Sequence, residues 1–111
     1  MGYSISQETH QRIERHRRED RWCQGSGRCS NRATRVIVIE SPTRDPQRYT
    51  HVCCKKHTDE LQLSYEYYGV LFANETGSKI VMTYRISPGD HGTQAREIAL
   101  GMANFLHPVM P

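Results

Sequence analysis

The chemistry in this 111-residue chain is concentrated in two short stretches. The first is Cys23-Gln24-Gly25-Ser26-Gly27-Arg28-Cys29 and the second is Cys53-Cys54-Lys55-Lys56-His57. Thiolate and imidazole are donors that zinc prefers, in sets of four and in tetrahedral geometry. Cys23, Cys29 and His57 supply three donors, and one of the adjacent pair Cys53 and Cys54 supplies the fourth. The spacing Cys54-x2-His57 puts both donors within one turn of chain at a helix start. Cys54 is therefore the expected ligand, with Cys53 the alternative; on that reading Cys53 is a core residue of the strand. Three thiolates and one imidazole leave no position for water, so the expected Zn2+ is structural and no catalytic residue accompanies it. Two readings compete with zinc. One is four reduced cysteines packed as small apolar residues. The other is two disulfides, which a reducing compartment disfavours.

The elements that must position these donors follow from periodicity and punctuation. Residues 6–21 read as a polar helix, with Ser4 and Gln7 as a capping box and Glu8–Arg12 and Glu14–Arg18 as i,i+4 ion pairs in the favourable order. Residues 22–32 form a loop whose glycines permit tight turns. Residues 33–40 are rich in β-branched side chains and predict a strand. Residues 48–53 predict a second strand, beyond a loop punctuated by Pro42 and Pro46. Antiparallel pairing of the two brings both donor groups to one end of a hairpin. Residues 58–68 predict a helix capped by Thr58, with Asp59 and Glu60 near its positive end and Gly69 as its stop. Residues 70–73 and 79–86 flank a glycine-containing polar turn and predict a second hairpin. Thr93 then caps a last helix, up to about Leu106. In it Ala95, Ile98, Ala99, Met102, Phe105 and Leu106 form one apolar stripe suited to covering a sheet face. The expected fold is α+β, with two β-hairpins and about three helices, a zinc knuckle clamping the first hairpin to the following helix. Residues 1–21 would be a polar N-terminal helix or arm, and 22–111 a single zinc-stabilised domain.

The apolar fraction of 36% is below the roughly 45–50% usual for soluble domains when glycine is included. A core this thin calls for a staple, and metal is one. No stretch approaches the roughly 20 apolar residues of a membrane span. The first seven residues lack the apolar run of a signal peptide. Both point to a cytoplasmic setting, where closely spaced cysteines hold metal more often than they form disulfides.

The net charge of +3 conceals a split. Residues 1–57 carry twelve Lys and Arg against six acids, a net +6, and residues 58–111 carry three against six, a net −3. The basic half is the half with the donors, which suggests an anionic partner. Arg12, Arg15, Arg18 and Arg21 make a rail along the first predicted helix, and Arg28, Arg32 and Arg35 continue it onto the knuckle. Trp22 is an aromatic suited to stacking on a base. His91, between Asp90 and Gly92, reads as a polar turn residue rather than a catalytic group. His51 reads as a strand histidine, with a hydrogen bond to a thiolate as its other reading. No nucleophile elbow, P-loop or glycine-rich dinucleotide turn is present.

The order Cys23…Cys29-Ser30-Asn31-Arg32-Ala33-Thr34-Arg35-Val36…His51-Val52-Cys53-Cys54-Lys55-Lys56-His57 resembles small zinc-ribbon-like proteins of actinobacteria and their phages. In that pattern a cysteine pair precedes Ala-Thr and a strand, and a Val-Cys-x-x-His group ends the next strand. The resemblance covers about residues 22–61. It implies a Cys3His zinc site but no particular role. The extra residue in 52–57 departs from the pattern and keeps the third thiolate open between Cys53 and Cys54.

These features favour a regulatory, non-enzymatic zinc module that contacts nucleic acid or a nucleoprotein through its arginine-rich half. One alternative is a protein-binding regulator, for instance a phage factor acting on a host assembly, using the first helix or Tyr65, Tyr67 and Tyr68. Another is a small metal-dependent hydrolase or nuclease, in which His91 or His51 would matter.

Overall fold

The computed structural model describes residues 21–24, 29–69, 71, 77–90 and 92–109. The predicted first helix, and with it all of the N-terminal arm except Arg21, lies outside them. The elements run β1 (Arg35–Glu40), β2 (Arg48–Cys53), α1 (Lys55–Tyr68), β3 (Lys79–Arg85) and α2 (Gly92–Leu106). The fold is α+β, with one three-stranded antiparallel sheet in the order β2-β1-β3.

β1 is central because it has no polar face to spare. Val36, Ile37, Val38 and Ile39 are all fully buried, and a run apolar on both sides is stable only with neighbours on both edges and a layer on each face. β2 pairs with it in the expected hairpin, from Arg35↔Cys53 to Glu40↔Arg48. The second expected hairpin does not appear among the described residues. β3 pairs antiparallel with β1, from Arg35↔Arg85 to Glu40↔Lys79. Of residues 70–73 only Leu71 is described, and it is buried in the core.

The two faces of the sheet carry unlike cores. On one side Val36, Val38 and Val52 pack against Ala95, Ala99 and Ala103 of α2. On the other, Ile37, Ile39, Cys53 and Leu71 pack with Cys23 and Cys54, with Leu61 and Tyr65 of α1 against them. The stripe expected to cover the sheet is therefore only half used. Its alanines face the sheet and allow close approach, whereas Met102, Phe105 and Leu106 are exposed, Phe105 at 83%. Arg48, on the last β1–β2 rung, already reaches Ala103, so Phe105 and Leu106 lie past the end of the sheet.

That end is closed by a charge network. Arg48, only 8% exposed, donates from Nε to Glu40 Oε1 at 2.9 Å. Its Nη1 donates to Ala103 O at 3.1 Å and to Asn104 Oδ1 at 3.0 Å. Lys79 Nζ sits 3.2 Å from Glu40 Oε2 on the opposite strand. The Arg48 guanidinium, with Lys79, holds the Glu40 carboxyl below its usual range despite some burial.

Two caps also differ from expectation. α1 starts at Lys55 with Cys54 in the N-cap position, not at Thr58. Thr58 is inside the first turn, its hydroxyl donating to Cys54 O at 2.8 Å. α2 begins at Gly92, so Thr93 is helical. Gly69 ends α1 in the left-handed region (φ 66°), with its N–H on Tyr65 O, as a glycine stop should.

Candidate metal centre

Local backbone pairing builds the site. Trp22 and Arg32 form an antiparallel bridge, flanked by hydrogen bonds from Cys23 N to Asn31 O (3.0 Å) and from Ala33 N to Arg21 O (2.9 Å). This pairing brings Cys29 close to Cys23. Two further bonds, Gln24 N to Val52 O (2.8 Å) and Thr34 N to Cys53 O (2.9 Å), sew this ribbon to the end of β2. The chain leaves β2 at Cys53, and the N-cap geometry at Cys54 turns it into α1. His57 follows in the first turn.

These three devices converge on one point. The donor atoms of Cys23, Cys29, Cys54 and His57 all lie within 4.8 Å of one another. His57 Nδ1 is 3.2 Å from Cys23 Sγ and 3.3 Å from Cys54 Sγ. Zinc bond lengths imply a tetrahedral S···N edge of about 3.5 Å, so the cluster matches a single small ion in size, donor type and number. The group is buried or half-buried, and the set suits a metal ion.

Cys53 is not part of the group. It is the partner of Arg35 on the first rung and packs with Ile37 in the core. Burial pushes its thiol up to about 12, with the neighbouring cysteines adding to the effect. Cys54 goes the other way. Burial opposes ionisation there, but the His57 backbone N–H, the Asn31 amide, the His57 ring and Cys23 outweigh it and bring Cys54 down to about 6. The two adjacent cysteines thus differ in chemistry: one stays a thiol and the other favours the thiolate a metal needs.

The surroundings orient the donors. Asn31 Nδ2 lies 3.6 Å from Cys54 Sγ. Glu60 Oε2 stands 3.9 Å from His57 Nε2, on the ring nitrogen turned away from the thiols, where carboxylates commonly steady a metal-bound histidine. Gln24 is held on three sides. His51 Nε2 donates to its carbonyl at 3.0 Å, Arg96 Nη2 donates to its Oε1 at 2.6 Å, and Val52 N reaches the same oxygen at 3.4 Å. Burial lowers the His51 pKa, in keeping with a neutral ring. Nothing in the residue pattern points to Gln24, Asn31 or Arg96 in these roles, because each acts across a long sequence separation with no motif. Glu60, three residues beyond His57 on a helix, has the spacing of such a partner as well as that of a helix-start charge.

Among the basic candidates, Arg21, Trp22 and Arg32 are exposed on the ribbon beside the metal cluster. Arg35 is half-buried, with Nη1 donating to Thr34 O at 3.1 Å. Arg12, Arg15, Arg18 and Arg28 lie outside the described residues, as does His91. Among the described residues no helix is long and apolar enough to cross a membrane.

Compared with known proteins, the chain matches no family model, no curated protein and no solved structure.

Proposed function

We propose that this chain is a non-catalytic, regulatory zinc module. One structural Zn2+ would be held by Cys23, Cys29, Cys54 and His57, and the arginine-rich half around it would contact nucleic acid or a nucleoprotein. The observation that carries the metal is the closed donor set: three thiolates and one imidazole gathered within 4.8 Å, on a chain with a thin core. Zinc favours such a set, and four protein ligands leave no site for substrate or activated water. The likeness of residues 22–61 to small zinc-ribbon-like proteins supports the same metal. The exposed arginines and Trp22 on the ribbon support the partner, since phosphate contacts and base stacking need both.

Protein purified without added metal should carry about one zinc per chain, lost in His57→Ala. It should bind DNA or RNA with an affinity that falls steeply with salt. Absence of binding to either, even at low salt, would remove the nucleic-acid half of the reading. A second reading, a protein-binding regulator, is favoured by Phe105, Leu106, Met102 and Val109, which expose apolar surface at one end of α2. Recovery of one stoichiometric, nuclease-insensitive partner, lost in Phe105→Asp, would select it.

A further inference from the structure

Helix α2 is apolar on two sides, and the fold uses one of them. Ala95, Ala99 and Ala103 meet the sheet. Ile98, Met102 and Phe105 make a second stripe, and Val109 continues its spacing just past the helix end. Met102, Phe105 and Val109 are exposed, as is Leu106 beside them. A helix with one sheet to cover needs only one apolar face, and steps of four, three and four residues are those of a seam between two helices. Gly101 lies at the edge of this stripe. Glycine inside a helix is less stable than alanine, and nothing within the fold asks for it here. Gly101 is not among the glycines with positive φ, and a Cβ added to it would meet nothing within 4 Å. The space over it is open to another molecule. The surroundings are also uncharged, since residues 98–109 contain no Asp, Glu, Lys or Arg. A strongly acidic or basic partner finds no complement there.

We propose that this stripe joins two copies of the chain, α2 against α2, antiparallel about a two-fold axis. This goes beyond the reading of the chain as a zinc module and commits the exposed end of α2 to one occupant. The spacing itself selects a second copy, because four-three-four is the same read backwards, and a two-fold contact must be self-complementary. An axis midway between Met102 and Phe105 sets Met102 of each copy on Phe105 of the other and Ile98 on Val109. The same axis lays Leu106 over Gly101, where the missing side chain makes room. No charge is buried, so no desolvation cost of that kind arises. The exposed side chains amount to on the order of 400 Å² per copy, a patch of functional size. Two such patches fall at the low end of specific interfaces, so the dimer is weak, with a dissociation constant of about tens of micromolar. α2 starts at Gly92, on the same cleft as Ala33 and Ile86, and ends beside Arg48. Joining the C-terminal halves therefore puts the two metal clusters at the far ends of the pair.

Sedimentation equilibrium of the purified protein over roughly 1 to 500 µM, a range that brackets this constant, tests the proposal. The mass should rise from 12.9 kDa toward twice that value and level off. Phe105→Asp and Gly101→Leu should each keep it near the monomer. A substitution in a two-fold contact acts twice, so a loss of about tenfold per site becomes about a hundredfold in the dimer constant. Gly101→Leu is the sharper variant. The single copy has room for the new side chain, so the melting temperature of dilute, monomeric protein should hold or rise while the dimer is lost. Leu63→Asp, on the exposed side of α1, should dimerise as the wild type does. A monomer at every concentration would overturn the proposal, and so would a mass that keeps growing past the dimer. Wild-type dimerisation in both Phe105→Asp and Gly101→Leu would place the contact elsewhere and overturn it as well. A wild-type monomer that binds a different protein, with binding lost in Phe105→Asp, would assign the stripe to that protein instead.

Discussion

Removing the proposed zinc, by a chelator under reducing conditions or through His57→Ala, should separate the contributions of the two half-cores. The side that faces α2 contains no donor. Val36, Val38 and Val52 are fully buried there against three alanines, each worth about 1.5–3 kcal/mol if it were a large side chain fully removed from water. The other side depends on the metal group, since Cys23 and Cys54 are themselves members of its core. α1 has one buried residue, Thr58. Leu61 and Tyr65 are half-buried, so together they contribute about 2 kcal/mol. A helix of 14 residues is marginal in water on its own, and ordering its backbone costs about 1 kcal/mol or more per residue before hydrogen bonding is counted. Structural zinc binding supplies about 10–16 kcal/mol apparent, far more than α1's own packing. The metal-free chain should therefore lose α1 and the Cys23–Cys29 ribbon while keeping the sheet and α2. Circular dichroism at 222 nm should fall by nearly half of the described helical signal, since α1 has 14 residues and α2 has 15. Amide exchange should become fast in 55–68 and stay slow in 95–103, and added zinc should reverse both. Equal protection of the two helices in metal-free, reduced protein would refute the reasoning.

Other outcomes follow from the same packing. Arg48→Met should destabilise by about 2–4 kcal/mol in urea unfolding, somewhat below the usual cost of breaking a buried pair because Lys79 still neutralises Glu40. Glu40 has a depressed pKa, so the stability it contributes is present above its ordinary value of 4.5 and is lost as pH falls through its folded value. Arg48→Met should flatten that acid limb, and an unchanged limb would place the effect elsewhere. Cys53→Ala should keep one zinc per chain at a stability cost of about 1 kcal/mol, whereas Cys54→Ala should lose the metal, both read by zinc analysis of the purified protein. Ala99→Leu should cost about 1–3 kcal/mol by forcing α2 off the sheet, with Phe105→Ser nearly neutral as the contrast in the same melting experiment.

The hairpin of β1 and β2 was legible because residues 36–39 are β-branched without interruption, and no other stretch of the chain is. Convergence of the donors was legible for the same reason, since strand pairing carries residues 23–29 and 54–57 to one end. The choice between Cys53 and Cys54 follows from the pleat. Cys53 is the last residue on the β2 face that packs with Ile37, and Cys54 is the first residue free to leave the strand. What stayed hidden depended on competition between distant segments. β3 pairs with β1, whose apolar run is buried on both faces and takes a neighbour on each edge. The α2 stripe misled because periodicity counts Phe105 and Ala99 alike, whereas a narrow sheet accepts the small residues and stops short of the large ones. Thr58 satisfied the pattern of a cap, but the chain was already turned at Cys54.

The two ends of the sheet use arginine in opposite ways. At the Glu40 end, Arg48 is buried and every one of its described contacts is internal: a carboxylate, a carbonyl and an amide oxygen. Glu40 is in turn shared with Lys79, so the cluster is closed to outside ligands. At the metal end Arg32, Arg35 and Arg85 have no carboxylate among the described residues, and two of them are set directly opposite one another. Packing does not require a like-charge pair, and a single Arg85→Thr would extend the strand without it.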